Sequence, residues 1–328
     1  MAALGKTVRQ IRKNKGLTLM DVADDQLTAS FLSKFERGLA DMSTNRFLHL
    51  LDRIFTTPEE FFYIHNGTPT EKKGSKDGYY SRTAMLDRLF GNYLSLDSPA
   101  DIQQTLTDLT RREKAAAAQY KAAPTLLNVL HWRIQQVMRQ MITRLEQQRP
   151  LTSLNNTGQY SAEAQNYLYN VSDWGEFELY VFTLFSLDMP VADERRLFKV
   201  AVKRSKKYST FPGAPRLRFD MIFNQLFLEM NRQAYPVVGD YLDQYKAALT
   251  AEPNAEHEIS YRFIRAWWLY RTGQRDAAAT VGQSAIQLAT ALRMTKLAQD
   301  VQDELTQVAT HAPAEDYKFF RQIIEYLV

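Results

Sequence analysis

The sequence contains no cysteine in its 328 residues. Disulfide bonds, thiolate zinc sites and cysteine nucleophiles are therefore excluded together. No segment approaches the roughly 18 uninterrupted apolar residues that a membrane-spanning helix needs, and the N-terminus lacks the apolar region of a signal peptide. We therefore expect a cytoplasmic protein that does not contact a membrane.

Signs of catalysis are equally scarce. The sequence has neither a G-x-S-x-G elbow nor a G-x-x-x-x-G-K-[ST] loop, and its carboxylates form no obvious pair. No histidine has a partner at a metal-ligand spacing such as H-E-x-x-H; the five are His49, His65, His131, His257 and His311. We predict that the protein is not an enzyme and that it holds no metal ion and no cofactor.

Strand signals are also absent, because no alternating Val/Ile/Thr run is bounded by an Asn-Gly or Asp-Gly turn. Hydrophobic residues make up 45% of the chain and charged residues 24%, which is typical of a globular protein. A net charge of only +4 excludes a polycation that coats nucleic acid. The chain is thus predicted to be all-α and long enough for two or three domains.

What the sequence does contain is, first, three short helices over residues 4–38. Gly16 ends the first helix by accepting positive φ, and Thr18 with Asp21 forms a capping box that begins the second. The apolar residues of the first helix recur at spacings of four and three and share one face; they are Leu4, Val8 and Ile11.

Two further helices follow the same logic. Thr28 caps the third helix, which runs to about Arg37 with Leu32 and Phe35 directed inward. A fourth helix begins near Ser43, and its core-facing stripe is predicted to be Phe47, Leu48, Leu51 and Ile54.

The N-terminal pattern resembles the repressor-type helix-turn-helix of the Cro/C1, or XRE, family. The resemblance rests on R-K-x-K-G at 12–16, the alanine at 23 and S-x-F-E-R-G at 33–38. It implies a buried ion pair between Arg12 and Glu36 that ties the first helix to the third. The chain departs from the family in the turn between the second and third helices, where Asp25-Gln26-Leu27 replaces the usual glycine.

A helix-turn-helix places its third helix in the major groove of DNA. Base contacts are expected from the outward residues of this helix, with Lys34 the best partner for guanine; they are Thr28, Ala29, Ser30, Ser33 and Lys34. Phosphate contacts are expected from nearby cations and from the start of the fourth helix, namely Arg9, Lys13, Lys15, Arg37, Thr44, Asn45 and Arg46. The alternative is a helical bundle with a solvated basic face.

The charge of the N-terminal region bears on how it would bind DNA. Residues 1–66 carry nine cations and eight acids, a balance of +1. The affinity of one such module for one half-site should therefore be modest and sensitive to salt. We expect a homodimer that binds double-stranded promoter DNA at two half-sites about one helical turn apart.

The rest of the chain predicts paired helices. Gly, Pro and charged residues at 67–76 indicate a linker between a DNA-binding domain at 1–66 and a helical-repeat domain at 77–328. First helices of successive pairs should begin near 173, 216 and 257, and a regular interval of about 40 residues is typical of a helical solenoid. Large aromatics and small alanines at 266–289 make this unit similar to a tetratricopeptide repeat, which stacks into a right-handed superhelix with a concave face.

A Cro-like head on tetratricopeptide-like helices resembles the Rgg/GadR/MutR-type regulators of the PlcR-related, peptide-sensing group. I-R-K-x-K-G at 11–16 and D-W-x-E-F-E-L at 173–179 carry this resemblance. It implies a transcriptional regulator controlled by a short hydrophobic signalling peptide that binds the concave face inside the cell. Two alternatives remain: a DNA-tethered protein-docking scaffold, and a prophage-type repressor whose long domain only dimerises.

A groove for an extended peptide must supply amide or guanidinium groups beside apolar pockets. First helices line the inner face of such a superhelix, so polar residues on first helices are the candidates: Arg82, Arg139, Asn224, Tyr261, Arg262 and Arg265. For Asn224 the equal alternative is a core asparagine bonded to a neighbouring helix. Of Trp267 and Trp268, one is expected to belong to the core.

Overall fold

A computed structural model describes residues 4–66, 99–147, 158–206 and 215–319. The chain divides into two compact units, Met1–Gly91 and Asn92–Val328. Every regular element in the described ranges is a helix, so the all-α prediction is confirmed. No helix in these ranges is long and apolar enough to cross a lipid bilayer. The predicted linker at 67–76 lies outside the described residues.

Residues 4–66 of the first unit form five helices, which are α1 (Leu4–Asn14), α2 (Leu19–Val22), α3 (Ala29–Glu36), α4 (Thr44–Arg53) and α5 (Pro58–Asn66). They surround one apolar core to which each helix contributes. Its buried members are Val8, Ile11, Val22, Leu27, Leu32, Phe35, Phe47, Leu50, Leu51, Ile54 and Phe61.

The helix ends of this unit follow the predicted capping chemistry. Gly16 has a φ of 70°, and the Thr18 hydroxyl accepts from the Asp21 amide while the Asp21 carboxylate accepts from the Thr18 amide. The Thr28 hydroxyl accepts from the Phe31 amide and so caps α3. Each cap satisfies an amide that the helix itself leaves without a partner.

One predicted core position of α4 is wrong. Leu48 is 43% exposed, whereas Leu50 is fully buried. The physical reason is helical phase, because Phe47, Leu50 and Leu51 fall at spacings of three and four, while Leu48 lies about 100° away from Phe47 around the helix axis.

The second unit is a series of antiparallel helix pairs. Within the described ranges its helices are α6 (Pro99–Ala122), α7 (Leu126–Glu146), α8 (Ala162–Asn170), α9 (Glu176–Phe185), α10 (Val191–Ser205), α11 (Pro215–Asn231), α12 (Tyr235–Ala251), α13 (Ala255–Arg271), α14 (Arg275–Ala291) and α15 (Thr295–Thr310), followed by a 3₁₀ helix (Pro313–Phe319). The helices α9, α11, α13 and α15 begin at 176, 215, 255 and 295, at intervals of 39, 40 and 40 residues. The observed period is therefore more regular than the one predicted from the sequence.

The pairs form two layers. Each of the first helices α7, α9, α11, α13 and α15 packs against the next one in this series, and together they form what we call the first-helix layer. The second helices α8, α10, α12 and α14 lie between consecutive first helices along the chain and pack against both. Trp267 of α13 is fully buried, while Trp268 is half-buried and donates to the Tyr235 carbonyl at 2.9 Å.

Two helix ends are defined by local contacts. Gly175 is the N-cap residue of α9, and the Glu178 carboxylate accepts from the Gly175 amide at 2.6 Å. After α15 the chain forms the 3₁₀ helix, and the residues past Phe319 lie outside the described ranges.

Candidate nucleic-acid interface and ligand-binding faces

A buried ion pair fixes α3 against α1. Arg12 donates from Nε and Nη2 to the two carboxylate oxygens of Glu36, at 2.6 and 2.8 Å, and from Nη1 to the Leu17 carbonyl at 2.7 Å. Both side chains are buried, and the hydrogen bond to Glu36 raises the pKa of Arg12. The bidentate geometry therefore sets the direction of the end of α3 as well as its position.

Gly5 allows the backbones of α1 and α3 to approach closely. A Cβ at Gly5 would lie 1.9 Å from the carbonyl oxygen of Phe35 and 2.9 Å from the Cα of Glu36. The backbones of the two helices are thus in direct contact beside the Arg12–Glu36 pair. Sequence reasoning missed this residue, because a glycine inside a predicted helix gives no sign of what lies opposite it.

Asp24 shapes the turn that leads into α3. Its Oδ1 accepts from the amides of Gln26 and Leu27 at 3.0 and 2.9 Å, and its Oδ2 lies 2.6 Å from Nε2 of His49 in α4. The contact with His49 is the main reason that the pKa of Asp24 is lowered. Leu27 is fully buried and anchors the turn, so an Asx-type turn takes the place of the glycine usual in the family.

The outward edge of α3 is polar, as predicted. Ser30 and Lys34 are exposed, and Ala29 and Ser33 are half-buried beside them. Thr28 is also exposed, although its hydroxyl already accepts from the Phe31 amide. The opposite edge carries the buried residues of the core. One face of the helix is therefore held by packing while the other is open to a ligand.

The predicted phosphate-binding residues are exposed in two places on the first unit. Arg9, Lys13 and Arg37 are exposed on α1 and at the end of α3. The start of α4 brings Thr44, Asn45 and Arg46 to the surface. The Arg46 guanidinium lies 5.7 Å from the ring of Phe31 in α3, which places this cation next to the polar edge.

Lys15 differs from the other predicted cations. Its Nζ donates to the Phe55 carbonyl at 2.5 Å and to the Thr56 hydroxyl at 2.9 Å. It therefore ties the end of α1 to the loop after α4, and a phosphate would have to compete with these two oxygens.

Asn224 does not face an open groove, so its assignment to peptide binding is not supported by its position. It is only 1% exposed, and its amide nitrogen lies 3.4 Å from the Thr183 carbonyl and 3.3 Å from the Ser186 hydroxyl. These partners belong to α9 and its C-terminal cap, and α9 packs directly against α11. Close packing of consecutive first helices encloses this face, and the core-asparagine alternative describes the residue.

Tyr261, Arg262 and Arg265 come together, but not where the first-helix argument put them. They line a cavity of about 320 Å³ whose other walls are Lys246 of α12 and Ser284 of α14, among others. The cavity thus opens between two second helices. A first helix has one side directed towards the second helices, and these three residues lie on that side.

Arg139 of α7 is bonded to the preceding helix. Its Nε donates to the Glu113 carboxylate of α6 at 2.6 Å, and its side chain remains partly exposed. Arg82 lies outside the described residues. The use of these two arginines as partners of a peptide carboxylate therefore stays a prediction.

Comparisons with known proteins agree with this architecture. The sequence model of the family described as "HTH-type transcriptional regulator Rgg, C-terminal domain" matches residues 105–303. A candidate transcriptional regulator from Listeria monocytogenes EGD-e is 19% identical, with a TM-score of 0.69 over 93% of this chain and 97% of its own.

Two further solved structures share the fold. The Streptococcus dysgalactiae SHP pheromone receptor Rgg2 is 18% identical with a TM-score of 0.62, over 93% of this chain and 99% of its own. The PrgX/cCF10 complex is 11% identical with a TM-score of 0.59, over 93% and 99%.

Proposed function

This chain belongs to the Rgg family of helix-turn-helix transcriptional regulators, and from that premise we propose that it is a sequence-specific DNA-binding regulator controlled by a short hydrophobic peptide inside the cell. The first unit would bind promoter DNA and the second would bind the peptide. The observation that carries the proposal is the division of α3 into a buried edge and an open polar edge, braced from behind by Arg12 and Glu36.

The geometry of α3 supports reading of bases in the major groove, which is wide enough for one α-helix. Lys34 would donate to guanine O6 or N7, and Ala29 would contact a thymine methyl group. Arg9 and Lys13, with the amides at the start of α4, would bind phosphates and set the register of the helix in the groove.

A homodimer follows from the small size of this surface. One α3 offers few base-contacting side chains, most of them Ser or Thr, which discriminate weakly between bases. Two copies on half-sites about one helical turn apart would double the read sequence. Sequence specificity would then come from the pair rather than from either module.

Peptide control is supported by the relatives and by the first-helix layer. Rgg2 is a pheromone receptor and PrgX has been seen in complex with cCF10. In this chain, the first-helix layer contains large aromatic side chains, among them Phe227 and Trp267, which contact each other and are buried. A hydrophobic peptide would pack against such side chains where a covering segment moves away, provided that polar groups satisfy the peptide backbone.

Selection from a random DNA library tests the first part. The full-length protein should enrich one sequence that contains two related half-sites, and shuffling either half-site should lower the affinity. Recovery of DNA without a shared sequence would contradict sequence-specific binding.

Thermal unfolding tests the second part. Hydrophobic peptides encoded by small open reading frames next to the gene should raise the Tm, because a ligand that binds only the folded state stabilises it. Scrambled peptides of the same composition are the control. An equal shift with native and scrambled peptides would contradict a specific site.

A further inference from the structure

The 3₁₀ helix at Pro313–Phe319 lies on the first-helix layer. It packs against α11 and α15, and its Asp316 bonds to Trp267 and Arg271 of α13. Trp267 is two residues after Arg265, about 160° away around the helix axis. The 3₁₀ helix therefore lies on the side of the layer opposite the cavity between the second helices, and we call this side the open side.

Asp316 is held there by a built carboxylate site. Its Oδ2 accepts from Nε of Arg271 at 2.9 Å and from Nε1 of Trp267 at 3.0 Å, and its Oδ1 accepts from Nη2 of Arg271. Only 1% of Asp316 is exposed. The fork of an arginine with an indole N–H beside it matches the geometry of a carboxylate group.

The two donors are fixed by contacts that do not involve Asp316. Nη1 of Arg271 donates to the carbonyls of Val308 and His311 at 2.9 and 3.2 Å. The Trp267 ring packs against Phe227 and Phe263, with centroid distances of 5.6 and 6.1 Å. Val308 belongs to α15, whereas His311 directly precedes the 3₁₀ helix, so the Val308 contact and the ring packing are the ones that hold the two donors independently of Pro313–Phe319.

A buried ion pair contributes little net free energy to holding Pro313–Phe319 on the first-helix layer. Removing two charges from water costs as much as or more than their attraction returns, and apolar packing of equal volume does as well or better. An ion pair does suit a contact that must be exchanged, because an arginine that loses one carboxylate can bind another. Arg271, with Trp267 beside it, is such an arginine.

We propose that Arg271 and Trp267 form a carboxylate-binding site on the open side of the first-helix layer. Asp316 fills this site in the free protein. A carboxylate of the peptide ligand replaces Asp316 by displacing Pro313–Phe319. The identity of the displacing ligand rests on the proposed function; the carboxylate site itself does not.

Competition with Asp316 defines the ligand further. A tethered group acts at an effective concentration on the order of millimolar, so a free carboxylate alone competes poorly. The ligand must add apolar contacts to the aromatic side chains of the layer. A hydrophobic peptide with a free C-terminal carboxylate or an acidic side chain meets both conditions.

Chemical rescue tests the site in the full-length protein. Formate should raise the Tm of Asp316→Ala by about 2–4 °C at several times its Kd, measured against chloride at equal ionic strength. Wild type and the exposed control Asp276→Ala should not respond. A folded Asp316→Ala protein that is insensitive to formate would overturn the proposal. If Asp316→Ala folds only in formate, the proposal is supported equally.

A second assay uses the chain's own segment as the probe. Fluorescein-labelled Pro-Ala-Glu-Asp-Tyr-Lys-Phe amide should bind full-length Asp316→Asn about tenfold more tightly than wild type, because the internal competitor is weakened. The same probe with Asn in place of Asp should lose this binding. Absent or equal binding of both probes would overturn the proposal, and this assay decides if Asp316→Ala does not fold.

Neither assay contains DNA or the signalling peptide. If the protein passes both assays but binds no specific DNA, the proposed function is rejected and the carboxylate site is retained. If it binds specific DNA and responds to a peptide but fails both assays, the carboxylate site is rejected and the proposed function is retained.

Discussion

The two units each use a buried arginine–carboxylate pair, but at different ranges along the chain. Arg12 and Glu36 are 24 residues apart, within one helix-turn-helix motif. Arg271 and Asp316 are 45 residues apart and join a first helix to the segment after the last repeat. The first pair fixes a surface that is defined by local spacing. The Arg271–Asp316 pair depends on how separate repeats stack. Contacts set by local spacing can be predicted from the sequence, whereas contacts set by stacking cannot.

The largest effect is expected from breaking the local pair. Glu36→Ala leaves Arg12 buried without its partner and should destabilise the first unit by about 3–5 kcal/mol. Hydrogen exchange over residues 4–66 would measure the loss, and the exposed Arg37→Ala, at the other side of the same helix end, should change stability by less than about 0.5 kcal/mol. Equal protection in Glu36→Ala and wild type would show that the pair does not hold α3.

The features that the sequence predicted are likewise those that depend on residues close together along the chain. In the first unit, capping residues and apolar spacing predicted the three helices and both edges of α3, while the resemblance to the repressor-type helix-turn-helix family implied the pairing of Arg12 with Glu36. The role of Asp24 was missed, because its partners include His49 of another helix. Gly5 was missed because its neighbour is the backbone of α3.

In the second unit, the same signals predicted the helices and their period but not their faces. Tyr261, Arg262 and Arg265 were placed on a first helix correctly, but they line the cavity between the second helices and not the first-helix layer; their contact with a peptide stays a prediction. Asn224 was enclosed by α9, which no pattern within α11 reveals. The side that a first helix exposes is set by its neighbours in the stack, and periodicity within one helix carries no information about them.

A buried carboxylate in the second unit should make its stability depend on pH. Burial is the main cause that raises the pKa of Glu194 to about 7, against 4.5 for a free glutamate. The folded state therefore binds this proton more tightly than the unfolded chain, so the contribution is complete below pH 4.5 and is lost as the pH rises to about 7.

Glu194→Gln removes this dependence. Relative to wild type, the variant should gain stability between pH 4.5 and 7, by up to about 3 kcal/mol. Urea unfolding at several pH values measures the difference. Glu194 contacts Arg232, so the absolute stability at one pH is less informative than the slope. A constant difference across this window would contradict the raised pKa.

Alanine substitutions at two glycines test how closely helices pack in each unit. Gly5→Ala should cost about 1–3 kcal/mol, because the new Cβ would lie 1.9 Å from the Phe35 carbonyl oxygen and force α1 from α3. Gly239→Ala in α12 is the matched control, since its Cβ would meet only Trp268 at 3.6 Å. Helix propensity predicts a neutral or slightly stabilising effect there. Urea unfolding of both variants checks the contrast, and equal effects would contradict the close approach of α1 and α3.

The smallest effect is expected in the cavity between the second helices. Arg265 is exposed there, on the side opposite Trp267. Arg265→Ala should change stability by less than about 0.5 kcal/mol and should leave the peptide-induced rise in Tm unchanged. Loss of the peptide response in this variant would place the peptide between the second helices, against the assignment to the first-helix layer.

The central claim, that the open edge of α3 reads DNA, is tested most directly by the affinities of Lys34→Ala and Arg9→Ala for the selected operator and its single-base variants over a range of salt concentrations. Lys34→Ala should lose about 1–3 kcal/mol of discrimination at one base pair in each half-site. Arg9→Ala should weaken binding to all sequences alike and flatten the slope of log K against log salt by about 0.9 for each phosphate that the variant no longer neutralises. Wild-type affinity, discrimination and salt dependence in both variants would contradict the claim.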